Sequence, residues 1–307
     1  MPHLAQLPLF HALNEKEIRS QFQDDQAMKV ALDLKNTGFS ILENFVSEER
    51  ANKIVEECKA HFEKEKGKTT GRLRWQDGWK QSQVIKELAI DKRIIKLLSD
   101  VYGKQTFAFQ SLNFDQGTQQ KLHADTVHFN SYPNHFMAGV WVALEDISEE
   151  NGAIKYVENS HTLPNIDLFS LNLQHGTPGQ GNSHISYPEY EKYIEQLVVK
   201  FDMKVKLAKM KKGDALVWAS GLLHGGSKVN NPKSSRYSQV THYFFKDCLY
   251  YTPLSSDMFS GKLQLRTPFD IASGKKPKLS SLLKTAKSLN IPRSQVLRSW
   301  LWTHYGK

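Results

Sequence analysis

From Thr106 onward the chain is a succession of short apolar runs separated by turn residues. Phe107, Phe109, Ser111 and Asn113 step in twos, the period of an extended strand. The run from Phe136 to Leu144 is apolar and of strand length. Asn151-Gly152 is a hairpin-turn dipeptide, and Ala153 to Val157 follows it as a strand. Lys204 to Leu207, Ala215 to Trp218 and Gln239 to Phe245 complete the set, with Gly213-Asp214 marking another turn. Many short strands with this punctuation predict a jelly-roll or sandwich.

The ends of the chain read differently. Glu15 to Val30 is polar and helix-prone, and Phe39 to Leu42 is a short strand. Ser47 is placed as an N-cap for a helix carrying Ile54, Val55, Cys58 and Phe62 at helical spacing. Lys64 to Gly78 reads as a loop, and Ile85 to Leu98 as helix. Leu163 to Glu195 is rich in Gly, Pro, Asn and His, and is expected to be an irregular insertion acting as a lid. Past Pro277 two helices are expected, one with Leu279, Leu282, Leu283, Ala286 and Leu289 on one face, the second with Val296, Leu297, Trp300 and Leu301. The expected organisation is one domain over 1–260, with N-terminal helices and a jelly-roll core, and a basic helical extension, 261–307, packed on it.

Charge is local. Ten of the 41 Lys and Arg, against one acid, Asp270, lie in 261–307, and the rest of the chain is balanced, so the net +9 belongs to that segment. It offers a surface to an acidic or phosphate-bearing partner, and equally reads as a solvated helical face. The 39% hydrophobic content suffices for a sizeable core, and no apolar run has the length of a membrane span. Met1 to Phe10 lacks the pattern of a secretory signal. Cys58 and Cys248 are too few and too far apart for a disulfide framework or a cysteine zinc site, which fits a reducing cytoplasm.

The chemistry-bearing motif is His123-Ala124-Asp125, with His224 following 99 residues after Asp125 and Arg236 a further 12 on. On an extended strand His123 and Asp125 leave the same face. Two imidazoles and a carboxylate on one side of an iron form a facial triad that leaves three positions open. A guanidinium beyond the second His suits the distal carboxylate of 2-oxoglutarate through a bidentate pair. A lone His-x-Asp triplet is common by chance. Here it follows a predicted strand, and Leu223-His224-Gly225-Gly226 sits at the end of another.

Three further segments lie in register with this motif. They are Thr37-Gly38-Phe39-Ser40-Ile41-Leu42-Glu43-Asn44-Phe45-Val46-Ser47-Glu48-Glu49, Asn151-Gly152-Ala153-Ile154 through Ser160-His161, and Lys212-Gly213-Asp214 followed by His224-Gly225-Gly226-Ser227. Together they resemble the phytanoyl-CoA dioxygenase-like family of Fe(II)- and 2-oxoglutarate-dependent oxygenases, over about Thr37 to Lys246. The resemblance implies a mainly β fold with flanking helices, a double-stranded β-helix of the jelly-roll, cupin-like type. It implies Fe(II) held by His123, Asp125 and His224, with 2-oxoglutarate and O₂ as cosubstrates. Arg236 would hold the 2-oxoglutarate C5 carboxylate with help from Ser227, although an extra glycine precedes that serine. Trp141 occupies a position where the family carries an aromatic residue beside the cosubstrate. Gln110 and Asn113 are candidates for the same pocket. The implied reaction hydroxylates an unactivated C–H bond with release of succinate and CO₂. The implied substrate is a small molecule, free or linked to CoA or a carrier protein. Asp125 also favours hydroxylation over halogenation, since related halogenases replace this carboxylate with a small residue.

Two readings from other classes stand beside this one. A jelly-roll that has lost turnover would act as a binding module, and the complete His, Asp, His and Arg set counts against it. Nucleic-acid binding through 261–307 is disfavoured by the neutral remainder and the lack of a reading motif. His128, His135, His175, His184 and His242 read as structural or substrate-facing, His161 as a turn residue, and Trp75 and Trp79 as packing.

Overall fold

Alternate residues of the central strands face opposite ways, and this divides the interior into two apolar layers. The computed structural model describes residues 7–67, 74–167, 170–171, 183–256 and 261–305. The helices are α1 (Leu9–Ala12), α2 (Glu15–Gln21), α3 (Asp25–Asn36), α4 (Glu48–Glu65), α5 (Gln83–Ala89), α6 (Lys92–Tyr102), α7 (Ser183–Lys200), α8 (Leu279–Ser288) and α9 (Arg293–Tyr305). The strands are β1 (Phe39–Leu42), β2 (Arg74–Gln76), β3 (Thr106–Phe114), β4 (Asn130–Tyr132), β5 (Met137–Ala143), β6 (Ile154–Val157), β7 (Val205–Ala208), β8 (Ala215–Ala219), β9 (His224–Gly226), β10 (Ser238–Phe245), β11 (Leu249–Tyr251) and β12 (Leu265–Arg266).

A six-stranded antiparallel sheet has the order β1-β8-β5-β10-β3-β2. Two three-stranded sheets have the orders β7-β6-β9 and β12-β11-β4. On one face of the large sheet, Val140, Val142, Val217 and Phe244 pack with Leu34, Ile54, Leu98 and Val101 of the N-terminal helices. On the other, Trp141, Leu216, Trp218 and Val240 pack with Ile154, Tyr156 and Ala208 of the β7-β6-β9 sheet. Two facing sheets with helices outside the larger one make a jelly-roll with flanking helices, as expected.

Local chemistry explains where the helices break. The expected helix over 15–30 is two helices, because Asp24 accepts from Ala27 N and starts α3 afresh. The one expected over 85–98 is likewise divided, because Asp91 caps α6 through Arg93 N. Gly103 ends α6 with φ +72°. The stretch 64–78 is not all loop: α4 runs to Glu65 and Arg74–Gln76 pairs with β3. The expected lid lies partly outside the described residues, and its C-terminal part is the regular helix α7, whose Tyr190 and Ile194 are buried. From the basic segment, β12 pairs with β11, and α8 and α9 pack on Leu249 and Leu265. Among the described residues no helix is long and apolar enough to cross a membrane. Cys58 and Cys248 are free and buried.

Asp91 also receives Arg50 Nη1 at 2.6 Å and Arg93 Nη2 at 2.9 Å. Burial opposes its ionisation, but these hydrogen bonds prevail and bring its carboxyl down to about 2. A depressed folded-state pKa means stability present above the ordinary carboxylate value and lost as pH falls through about 2. Replacing Asp91→Ala should lower unfolding free energy by about 1–2 kcal/mol at pH 7, as loss of a cap does. In urea unfolding, the gap between wild type and variant should shrink as pH falls from about 5 towards 2.

Candidate metal centre and active site

The site begins with a backbone pair. His123 N donates to His224 O and His224 N donates to His123 O, both at 2.9 Å. This isolated antiparallel bridge puts both imidazoles on one side, with ring centroids 4.6 Å apart. Asp125 arrives by a different route from the one expected. The strand does not continue through it: Ala124 N donates to the Tyr190 hydroxyl at 2.8 Å, and Asp125 opens a 3₁₀ turn through Val127. A side-chain cap on Ala124 replaces the ladder, so the chain turns at Asp125. The carboxylate still comes beside both rings, with Asp125 Oδ1 3.9 Å from His123 Nε2 and from His224 Nε2.

Each ring is oriented by a carbonyl. His123 Nδ1 lies 2.9 Å from Lys121 O, and His224 Nδ1 2.9 Å from Leu222 O. A carbonyl only accepts, so both Nδ1 atoms carry a proton, and both Nε2 atoms face Asp125. His123 Nε2 accepts from the Gln120 amide at 3.2 Å. Burial, then the neighbouring His224, lowers His123 to about 3, so its ring is neutral. Burial alone would raise the Asp125 pKa. His224, His242, His123 and the Trp218 indole overcome this and hold it below the ordinary value. One ligand atom from each of His123, Asp125 and His224 lies within 4.8 Å of the others, and all three residues are buried. This N,N,O donor set could hold a divalent metal with an open face.

Asp125 is aimed by Trp218, whose Nε1 donates to Oδ2 at 2.8 Å. That leaves Oδ1 towards the imidazoles. Across the sheet, Gln110, His242, Gly139 and Trp218 form one row on β3, β10, β5 and β8. The indole lies over Gly139, where any Cβ would overlap its ring atoms. Glycine is therefore what lets Trp218 reach Asp125.

These groups line a cavity of about 370 Å³. Arg236 is 3% exposed, donates to Gly152 O at 3.0 Å and lies 5.5 Å from the Trp141 ring. Both line the cavity, as does Gln110, which accepts from His242 Nδ1 at 2.9 Å. Asn113 does not. It is three positions from Gln110, so an odd count sends it to the opposite face, where its amide donates to Gln239. Ser227 also stays out of the wall: its N donates to Ala153 O at 2.9 Å and its hydroxyl donates to Lys228 O at 3.4 Å.

Several lining residues were not singled out as ligands. His242 Nε2 is 3.8 Å from Asp125 Oδ2, and burial keeps this imidazole's pKa low. Its signal was available, since 236, 240 and 242 share one face of a strand. His128 also lines the wall, brought down to about 4 mainly by burial. Arg266 lines it from β12. His161 is structural: it packs against Gly38 and its Nε2 meets Lys35 O at 3.2 Å. Trp75 stacks on His61 and Trp79 on Phe269. His175 lies outside the described residues.

Crowding the cradle should loosen the centre without removing a ligand. Gly139→Ala and Trp218→Phe should each weaken Co(II) binding about 10–100-fold in a spectroscopic titration, the range for losing an outer partner of a ligand. Wild-type affinity in both variants would show that the indole does not aim Asp125.

Comparison with known proteins bears on this geometry. A family model described as phytanoyl-CoA dioxygenase (PhyH) matches residues 34–238. A Caenorhabditis briggsae relative, described as a phytanoyl-CoA dioxygenase domain-containing protein 1 homolog, is 23% identical over 166 residues. That match covers 53% of this chain and 54% of the relative, about half its length. Among solved structures, the non-heme alpha ketoglutarate-dependent carbocyclase SnoK of nogalamycin biosynthesis superposes with TM-score 0.58 at 15% identity, covering 87% of this chain and 94% of its own. The epimerase SnoN, in complex with Fe3+, alpha ketoglutarate and nogalamycin RO, gives 0.54 at 16%, covering 73% and 85%. EctD from S. alaskensis, with 2-oxoglutarate and 5-hydroxyectoine, gives 0.54 at 15%, covering 76% and 80%. These likenesses share the jelly-roll. With the family match spanning most of the chain, the protein belongs to the phytanoyl-CoA dioxygenase family.

Proposed function

We propose that the protein is an Fe(II)- and 2-oxoglutarate-dependent dioxygenase that hydroxylates a C–H bond of a small molecule. The observation that carries this reading is the buried set of one ligand atom each from His123, His224 and Asp125, all within 4.8 Å of one another. His123, Asp125 and His224 would hold the metal, and two imidazoles with one carboxylate fit Fe(II). Bound iron supplies C–H oxidation by O₂ coupled to decarboxylation of 2-oxoglutarate, so that substrate and cosubstrate leave as alcohol, succinate and CO₂.

The chain's own work is binding and orientation. Arg236 would take the distal carboxylate of 2-oxoglutarate in the planar fork that a guanidinium offers. Trp141 packs beside Arg236, and its ring supports the guanidinium while keeping water from that end. Gln110 fixes the His242 ring through Nδ1, so that Nε2 stays towards Asp125. Trp218 holds Asp125 to a single free oxygen. The buried apolar walls exclude side reactions.

Anaerobic titration of the metal-free protein with Fe(II) and then 2-oxoglutarate should produce a visible charge-transfer band. His224→Ala should abolish it. Arg236→Leu should require at least tenfold more 2-oxoglutarate to reach the same intensity, given the 1.5–3 kcal/mol typical of a charged hydrogen bond, or roughly 10- to 100-fold. A folded wild-type protein that gives no band would overturn the assignment.

A further inference from the structure

The cavity has a second guanidinium at its other end. Arg236, Val240 and His242 line it from one strand direction, and six residues of strand span roughly 20 Å. Arg266 comes from β12, opposite Tyr250 of β11, and enters the wall beside His128 and Phe129. Its Nη1 donates to Thr252 Oγ1 at 3.0 Å and lies 3.5 Å from His128 O, and its guanidinium carbon is 4.7 Å from the Phe129 ring centroid. Nε is enclosed and makes no hydrogen bond, and no described carboxylate pairs with the group. Burial lowers its pKa to about 10, still charged at neutral pH.

Arg266 is half-buried with an enclosed Nε, and a structural arginine so placed ordinarily has a carboxylate or a full set of acceptors, because an unmatched charge withdrawn from water is expensive. Here the fork is partly satisfied by one hydroxyl and one distant carbonyl. Among the described residues the only carboxylate in the wall, Asp125, is turned to Trp218 and the imidazoles. Under the reading above, on which this inference rests, a divalent iron, dianionic 2-oxoglutarate, Asp125 and Arg236 cancel one another. Arg74 is exposed and solvated at the rim. Arg266 is the charge left over, and one negative charge on the substrate would balance it.

We propose that Arg266 anchors the substrate, and that the substrate is a small monocarboxylate whose acid group lies between Arg266 and Phe129. A single guanidinium suits one carboxylate through a bidentate pair, whereas a phosphate brings more charge and more acceptors than this end supplies donors for. The aromatic rings of Phe129 and His128 beside it fit an apolar or aromatic body rather than a sugar.

The test is ligand-observed NMR on the full chain with saturating 2-oxoglutarate and Zn(II) as a diamagnetic substitute for iron. The probes are short alkanoic and phenylalkanoic acids, their primary amides, and phenyl phosphate. Acids should bind at least tenfold tighter than their amides. Arg266→Met should bring them to the amide level, and Arg266→Lys should fall between. Thermal unfolding of Arg266→Met should show no loss of stability, and its iron and 2-oxoglutarate band should remain. Equal binding of acids and amides, unchanged acid binding in Arg266→Met, or preference for phenyl phosphate would overturn the proposal. So would loss of the band in Arg266→Met, which would make Arg266 a holder of the cosubstrate. A wild type without the band would overturn the oxygenase reading instead, and the acid–amide comparison would still judge Arg266.

Discussion

Two reciprocal backbone hydrogen bonds between His123 and His224 hold the whole centre together. They join segments about a hundred residues apart in sequence, and they do it at the residues whose side chains matter. A hydrogen-bonded antiparallel pair leaves its side chains on one face, so the two rings meet without any further device. The carbonyls of Lys121 and Leu222 then set both ring tautomers. Asp125 must come to this fixed pair, and the turn released by the Tyr190 hydroxyl brings it. A ligand set built on backbone pairing is stiffer than one built on long side chains, since each ring has little freedom left to lose.

Around the pair the protein arranges polar groups that an apolar interior would otherwise reject. Asp125 is buried, yet the Trp218 indole and the surrounding imidazoles keep it ionised. Trp218 reaches it only because Gly139 has no side chain. The large sheet therefore has two jobs. One face packs the helices, and the other presents Leu112, Val240 and Trp141 as an apolar floor between two arginines. A buried guanidinium, Arg236, and a half-buried one, Arg266, in one cavity are tolerable where anions are expected, and this ties the electrostatics of the wall to the chemistry of what it holds.

How much could be read from residues alone depended on the range of the interactions involved. Strand period and turn dipeptides located β5, β6, β8 and β10 within a residue or so, because alternation and turn chemistry are local. Helix existence was legible, but the breaks at Asp24 and Asp91 were missed, since a mid-pattern cap is easily taken for one more polar position. The co-linear motif set pointed to His123, Asp125, His224 and Arg236, and the fold brings them to one cavity. Asn113 could have been set aside by counting, as its odd offset from Gln110 turns it away.

The amino-acid sequence by itself determined the main core strands, the family and four residues that the fold gathers into one cavity, because those follow from periodicity and from motifs that keep their spacing along the chain. Only the tertiary structure decided that Gly139 cradles Trp218, that His242 stands against Asp125, and that Arg266 leaves the basic C-terminal segment to line the cavity. Each of these depends on which strand lies beside which. Sheet register couples residues that are far apart in sequence, and nothing in local composition carries that pairing.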